Sequence, residues 1–417
     1  MKYFLLLTLL LAGCAKSPKY TIKKNMEPNS REAQKAPYVL LISIDGYRWD
    51  YTKKYRPKFL SKFKKMGSSV KSLRPAYPTK TFPNHLSIVT GRYPMNHGIV
   101  ANSFYAPDLK KEYSLRNREA VENGDFYLSL PIWGLAERQG MRTATYFWPG
   151  SEAEILGERP SYFLKYNHGT PHNERIETVE KWFNLKDPKR PHLVTLYFHD
   201  VDSAGHNYGP DSKEVKEAIE KVDKSIEDVV TRVRKTGLPV NIIIVSDHGM
   251  ASLKDKNYES ILKTQQAKDQ ISNFIVKGKG PVIQLYNKEE SAISLKSYTK
   301  LLNKKAKNYK CYLGNKTPKK YNFRNHPRVG DIVCMAKKYW SIGTKDISIP
   351  EGNHGWSQFD GKDMHAIFYA QGPSFKSSKE IGTRDNIHIY PLLAKVLGLK
   401  LDVKIDGKLK AMKGLLK

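Results

Sequence analysis

A chain of 417 residues with 40% hydrophobic content, 25 Tyr and 15 Phe is able to bury a sizeable core, which excludes a disordered polymer and leaves one large α/β domain or two domains. Its formal net charge of +30 favours anionic surroundings such as nucleotides or an anionic membrane face. The lysines are spread along the chain, and the cluster "KTPKK" (316–320) lacks the interleaved aromatics of a nucleic-acid platform, so no stable nucleic-acid complex is expected.

The N-terminal "MKYFLLLTLLLAGC" places one early lysine before an apolar run too short to span a membrane in the mature protein, then small residues before Cys14. "LAGC" resembles the lipobox of bacterial lipoproteins. That resemblance implies a signal peptide over 1–14, cleavage before Cys14, and acylation of its sulfur and new amine. The expectation is an exported protein, lipid-anchored to a bacterial membrane at the periplasmic face or cell surface. Residues 15–36 are polar and have no hydrophobic period, so they read as a flexible tether. In an exported protein Cys311 and Cys334 either pair or stay free; the sequence leaves both open.

The continuous apolar run in "YVLLISIDGYR" (38–48) has the pattern of a buried parallel strand, ending at Asp45-Gly46. A short helix fits 55–66. "LSLPIWGLAERQG" (128–140) has helical spacing and stops at glycine, and "MRTATYFW" follows as a strand. "HLVTLYFHD" (192–200) is another strand, 212–237 an amphipathic helix closed by glycine, and "VNIIIVSDHGM" (240–250) a strand again. This alternation predicts an α/β fold: a central, mostly parallel sheet with helices on both faces. Residues 251–350 are lysine-rich with shorter strand-like pieces and read as an inserted smaller lobe within a catalytic domain over 37–400. "MHAIFYAQGPSF" (364–375) returns to the core, 386–399 is a closing helix, and 401–417 is a C-terminal tail.

Ligands in such sheets bind beyond the carboxyl ends of the strands. Chemistry-bearing residues gather there: Asp45; Asp202 and His206 in "DVDSAGHNYGP"; Asp247 and His248 in "SDHGM"; and His354 in "GNHGW". Carboxylate and imidazole ligands suit Zn²⁺, with Mn²⁺ and Fe as competitors. Asp202 and His206 lie four apart, on one face of a helical turn. Asp200 lies two residues earlier, but the spacing to His206 favours Asp202. His168, His172, His192 and His326 read as structural or surface residues.

Together with "SIDGYR", "PTKTFPNHLSIVTGRYPMNHGIVAN", "FWPGSE" and "AIFYAQGP", these segments resemble the nucleotide pyrophosphatase/phosphodiesterases of the alkaline phosphatase superfamily over nearly the whole chain from about 38 to 400. The resemblance implies an alkaline phosphatase-like fold and two Zn²⁺ (or Mn²⁺) per chain. One ion would be held by Asp45, Thr81, Asp247 and His248, the other by Asp202, His206 and His354. Thr81 would be the nucleophile, Asn102 would bind a non-bridging phosphate oxygen, and Phe82 and Tyr166 would sandwich a nucleobase. Val201 stands where the family usually has proline.

Hydrolysis of a phosphodiester needs an activated nucleophile, charge neutralisation and a stabilised leaving oxygen, all of which a pair of divalent ions supplies. Two such ions, three aspartates and a threonine alkoxide sum to no net charge. A diester with one negative charge sits there more easily than a monoester with two. No extra cation is assigned by motif, although Arg48 and Arg92 lie near the relevant segments. The expected function is therefore metal-dependent hydrolysis of nucleotide phosphodiester or pyrophosphate bonds through a covalent phospho-threonine. The alternatives are the same scaffold acting on lipid or glycerol phosphodiesters or on monoesters, and a surface lipoprotein that binds metal without turnover. Taken alone, Thr81 also reads as a helix N-cap, since Pro83 follows within the first turn.

Overall fold

The computed structural model describes residues 20–417; the expected signal peptide, Cys14 and the start of the tether lie outside the described residues. A nine-stranded sheet forms the centre. Its order is Thr21–Ile22, Tyr162–Leu164, Thr143–Tyr146, Leu193–Phe198, Tyr38–Ile44, Val240–Val245, Phe368–Gln371, Ser68–Val70 and Lys379–Ile381. The middle strands Thr143–Tyr146, Leu193–Phe198, Tyr38–Ile44 and Val240–Val245 are mutually parallel, and Phe368–Gln371 runs antiparallel beside them. The sheet is therefore mixed, with the expected parallel heart.

Alternating side chains of the central strands enter two separate cores. Val39 and Leu41 pack on one face with Leu86, Val89, Trp133 and Leu392 from the Thr81–Thr90, Ile132–Arg138 and Ile389–Leu397 helices. Leu40, Ile42 and Ile44 pack on the other with Val179, Trp182, Ile219, Val222 and Ile226 from the His172–Phe183 and Lys213–Lys235 helices. A strand covered on both sides has no polar face, which is why 38–44 reads as an unbroken apolar run. The Lys213–Lys235 helix starts at Ser212, whose hydroxyl accepts the Val215 N–H. The 55–66 expectation resolves into two helices, Tyr51–Tyr55 and Lys58–Met66.

Within 251–350 a third core forms. Its antiparallel sheet has the order Phe274–Lys277, Val282–Asn287, Ile332–Ala336, Tyr309–Leu313, backed by helices Gln265–Gln270 and Leu295–Asn303. Ile283, Leu285, Tyr298 and Leu302 fill it. Cys311 and Cys334, opposite each other on neighbouring strands, form a disulfide. Fully buried Arg328 ties this lobe to the main body, pairing with Asp108 and donating to the carbonyls of Gly98, Asp125 and Phe126.

Two expectations need correction. Residues 20–36 are not a free tether. Thr21–Ile22 adds an edge strand, Tyr20 packs edge-on against Tyr162 and Trp182, and Asn29 bonds the Arg190 carbonyl and the Arg142 N–H. Isolated anchors of this kind need no hydrophobic period, so pattern reading passes over them. Residues 401–417 are not a loose tail either: Met412 and Leu415 are fully buried, and the Lys376 N–H donates to the Leu415 carbonyl. Among the described residues no helix is long and apolar enough to cross a membrane.

Candidate active site

The carboxyl ends of three adjacent parallel strands deliver the aspartates. Asp45 follows Tyr38–Ile44, Asp247 follows Val240–Val245, and Asp202 lies in the first turn of the Asp200–Tyr208 helix after Leu193–Phe198. Gly46 makes their approach feasible. Its φ is +67°, and a Cβ there would stand 2.9 Å from Asp202 Cα, so a larger residue is excluded on both counts.

His248 Nε2 lies 2.9 Å from Asp247 Oδ2 and 3.4 Å from Asp45 Oδ1. His206 Nε2 lies 3.5 Å from Asp202 Oδ1 and 3.1 Å from His354 Nε2, and the His354 and His248 rings stack with centroids 3.5 Å apart. Two groups emerge, Asp45–Asp247–His248 and Asp202–His248–His354, each with ligand atoms within 4.8 Å of one another. His206 joins the second, and His248 stands between the two. The competing carboxylate Asp200 turns away, bonded to His172 Nε2 and Lys221 Nζ.

All three imidazoles are oriented the same way. Nδ1 of His206, His248 and His354 donates to the carbonyls of Gly352, Gly249 and Thr79 at 2.8, 2.9 and 2.7 Å. The Nε2 lone pairs therefore face the carboxylates, as metal ligation requires. Three buried carboxylate oxygens, Asp45 Oδ1, Asp202 Oδ1 and Asp247 Oδ2, lack a hydrogen-bond partner. Buried polar atoms normally find one, and oxygens of this kind fit divalent cations. The electrostatics agree. Burial, then Asp247 and Asp202, pushes the Asp45 carboxyl well above its usual range. Burial acts on Asp247 in the same direction, but His248 and His85 outweigh it and hold Asp247 low. Burial, helped by neighbouring His248, Lys80 and His206, keeps His354 neutral to far below the usual histidine range. The donor set of carboxylates and imidazoles suits Zn²⁺ or Mn²⁺.

Thr81 Oγ1 stands 3.3 Å from His248 Nε2. Thr81 is the first residue of the Thr81–Thr90 helix and not its cap; Lys80 holds the cap position, with extended backbone and no side-chain capping bond. Asn102 supplies the cap from elsewhere, its Oδ1 accepting the Phe82 N–H at 3.0 Å. That bond fixes the amide so that its NH₂ is the group left for a ligand. It also limits the donors the helix start can offer a ligand: the Phe82 N–H is taken and Pro83 has none, leaving the Thr81 N–H.

Phe82, the second helical residue, is partly buried against Tyr113. Tyr166 lies on the loop after Tyr162–Leu164, with its ring against Phe147 and Tyr197. Tyr197 in turn donates to Asp45 Oδ2 at 2.6 Å. Pattern reading passed over Tyr197, because an aromatic in a buried strand reads as core. It also left His85 unassigned; one helical turn after Thr81, its Nδ1 donates to the Thr81 carbonyl, and its Nε2 bonds Ser43. Arg48 and Arg92 are engaged elsewhere, with Asp50 and the Met250 carbonyl and with Asp406 and the Lys404 carbonyl. The cation that does reach the site is Lys80, whose Nζ donates to Asn353 Oδ1 at 3.2 Å.

Comparison with known proteins identifies relatives. The sequence profile described as "Type I phosphodiesterase / nucleotide pyrophosphatase" matches residues 39–357. The chain is 36% identical over 387 residues to ectonucleotide pyrophosphatase/phosphodiesterase family member 3 of Bos taurus, covering 90% of this chain and 43% of that protein. It is 35% identical over 391 residues to family member 1 of Homo sapiens, covering 89% of this chain and 41% of that protein. The chain thus spans about two fifths of the length of these curated relatives. Among solved structures, murine ectonucleotide pyrophosphatase/phosphodiesterase 5 superposes with a TM-score of 0.84 at 29% identity, covering 91% of this chain and 100% of that one. An inactive threonine-to-alanine variant of that protein in complex with AMP matches equally well. The fold is accordingly alkaline phosphatase-like.

If the orphaned oxygens await cations, metal loading stabilises the fold. At zinc 100-fold above its Kd, the gain is about 2.7 kcal/mol, or about 3 °C in melting temperature for a domain of this size. Differential scanning calorimetry of chelator-treated protein with and without added zinc checks this, and an unchanged melting temperature rejects the metal centre.

Proposed function

As the chain belongs to the type I phosphodiesterase/nucleotide pyrophosphatase family, we propose that it hydrolyses phosphodiester or pyrophosphate bonds of nucleotides through a covalent phospho-threonine on Thr81. The observation that carries this reading is the convergence of Asp45, Asp247 and His248 on the Thr81 hydroxyl, with Asp202, His206 and His354 alongside. Asp45, Thr81, Asp247 and His248 would hold one divalent ion, and Asp202, His206 and His354 a second, both Zn²⁺ by the chemistry of the donors with Mn²⁺ as substitute. Such ions supply a lowered hydroxyl pKa and charge neutralisation at the phosphate and leaving oxygen.

The residues divide the work. The Thr81 hydroxyl loses its proton to solvent, and its oxygen forms a bond to phosphorus as the bond to the leaving oxygen breaks. Water then bonds to phosphorus from the opposite side, Thr81 departs, and a proton returns to it; one water is consumed overall. The Asn102 NH₂ donates to a non-bridging oxygen whose charge grows in the transition state. Tyr197 and the three backbone carbonyls hold Asp45 and the imidazoles in place. Phe82 and Tyr166 would stack on the nucleobase. The murine structure with AMP supports a nucleotide as substrate. The neutral balance of charges favours diesters and pyrophosphates over monoesters. Export and attachment to a membrane through lipidated Cys14 complete the proposal, on the strength of "LLLAGC".

Thr81→Ala is expected to abolish nitrophenol release from nitrophenyl thymidine monophosphate while keeping the melting temperature and zinc content of the wild type; wild-type-like turnover in that variant refutes the mechanism. Asn102→Asp keeps the helix cap and loses the donor, so activity is expected to fall by about 10²- to 10³-fold with no loss of thermal stability. An equal fall in both would mark Asn102 as a cap and nothing more. Cys14→Ser is expected to move the protein from the detergent phase to the aqueous phase of a bacterial expression host's extract, and continued detergent partitioning counts against the lipid anchor.

A further inference from the structure

The residues that follow Cys14 most closely are fastened to the domain, and that bounds where an anchor at Cys14 can hold it. Thr21 and Ile22 pair with Phe163 and Tyr162, Tyr20 packs edge-on against Tyr162 and Trp182, and the Lys23 N–H donates to the Ser161 carbonyl at 2.8 Å. Only residues 15–19 lie between Cys14 and Tyr20. The chain from Cys14 to Tyr20 reaches at most about 21 Å, whatever its conformation. A folded chain of about 400 residues has a radius of gyration of about 21 Å and is more than twice that across. An acylated Cys14 therefore does not let the domain turn freely: Tyr20 must lie in the half nearest the bilayer.

The surface around Tyr20 fits that placement. Ile22 is 53% exposed and Leu156 50%. Leu156 stands at the tip of the turn closed by the Ile155–Glu158 bridge, at φ +52°, a left-handed conformation that suits Gly or Asn and strains a leucine. The fold gains nothing from an apolar side chain held there half in water. Glu158 joins the turn to the edge strand, pairing with Lys23 Nζ at 3.4 Å and Arg138 Nε at 3.3 Å. The 186–190 loop packs on the same segment: the Pro188 carbonyl accepts the Asn29 N–H, and the Lys189 carbonyl accepts the Tyr162 hydroxyl. Lys24, Lys186 and Lys189 are exposed there, against Glu27 and Asp187. Apolar tips among surplus lysines suit a boundary between acyl chains and anionic headgroups.

We propose that the domain rests on an anionic bilayer through the sheet edge at 20–24, the 154–159 turn and the 186–190 loop, with Ile22 and Leu156 entering the headgroup layer. This rests on the lipid-anchor reading of Cys14. Register adds a functional consequence. Continuing the pairing of Thr21 with Phe163, Tyr20 falls level with Leu164, the last residue of a strand parallel to those that end at Asp45 and Asp247. The docked edge thus borders the end of the sheet where the candidate site lies. Substrate reaches the Tyr166 side of that site from the solution next to the lipid.

The test is hydrogen–deuterium exchange of the full chain attached to vesicles of phosphatidylethanolamine and phosphatidylglycerol, against the Cys14→Ser protein free in solution. A docked state favoured about 10:1 slows exchange of the amides beneath it by about 10-fold. That protection is expected in 20–24 and 154–159. It is not expected at Met66 or in Lys379–Ile381, by the opposite edge of the sheet, although Met66 is also 53% exposed. Phosphatidylcholine vesicles are expected to protect less. Leu156→Asn suits the backbone of its turn, so together with Ile22→Thr it is expected to keep the melting temperature and to lose most of the protection. Equal protection at both edges, none at either, or equal protection on the two lipid mixtures overturns the proposal. So does protection of 20–24 in the lipid-free protein that grows with its concentration, which marks pairing with a second copy. Mass spectrometry of Cys14 tests the anchor separately. If Cys14 is unacylated that reading fails, and coupling a maleimide phospholipid to Cys14, the one thiol outside the Cys311–Cys334 disulfide, restores the same reach, so that exchange still decides the docking face.

Discussion

Three carboxylates held within reach of one another under the surface of a protein repel, and no arrangement of backbone donors resolves that here. Asp45, Asp202 and Asp247 each keep a buried oxygen without a hydrogen bond. Burying unpaired anions is among the costliest things a fold does. The surrounding architecture makes sense as the support for that cluster. Parallel strands place their ends side by side, Gly46 gives up its side chain so that Asp202 fits, and three histidines turn their lone pairs inward by giving their Nδ1 protons to backbone carbonyls.

Rigidity at this point comes from the layers beneath. Each central strand is sealed on both faces, so its carboxyl end has little freedom to relax away from its neighbours. Loops then add what strands cannot. The Gly352–Gly355 segment brings in His354 and contacts His206, Thr79 and Lys80 at once. The Asn102 loop reaches over to cap the helix that Thr81 begins. The same bond that satisfies a helix end also leaves the Asn102 NH₂ free, so in the proposed function a stability contact and a binding contact are one interaction.

Electrostatics link the site to the choice of substrate. With two divalent ions the inner groups sum to neutrality, and the sequence offered no further cation with a clear place. In the fold Arg48 and Arg92 are tied to Asp50 and Asp406, and Lys80 takes the position instead. Many of the other described lysines lie on the exposed surface of the disulfide-linked lobe.

Much of this was legible before any coordinates. The strand at 38–44, the helix at 213–235 and the strand at 240–245 carry their burial in their periodicity, and the Asp202–His206 spacing states a helical turn. Even the His172–Phe183 helix was readable in principle, since Ile176, Val179, Trp182 and Phe183 fall on one face. What one-dimensional pattern could not supply is pairing between distant segments. Whether Asp200 or Asp202 faces the histidines depends on which way one turn of helix is rotated, and His172 and Lys221 settle it from 28 and 21 residues away. Anchoring of residues 20–36, capping by Asn102 and the placement of Lys80 against Gly355 likewise need partners that periodicity does not encode. Local sequence determines how a segment buries itself; only packing decides which separate segments meet, because that choice is made by shape and charge across the whole molecule.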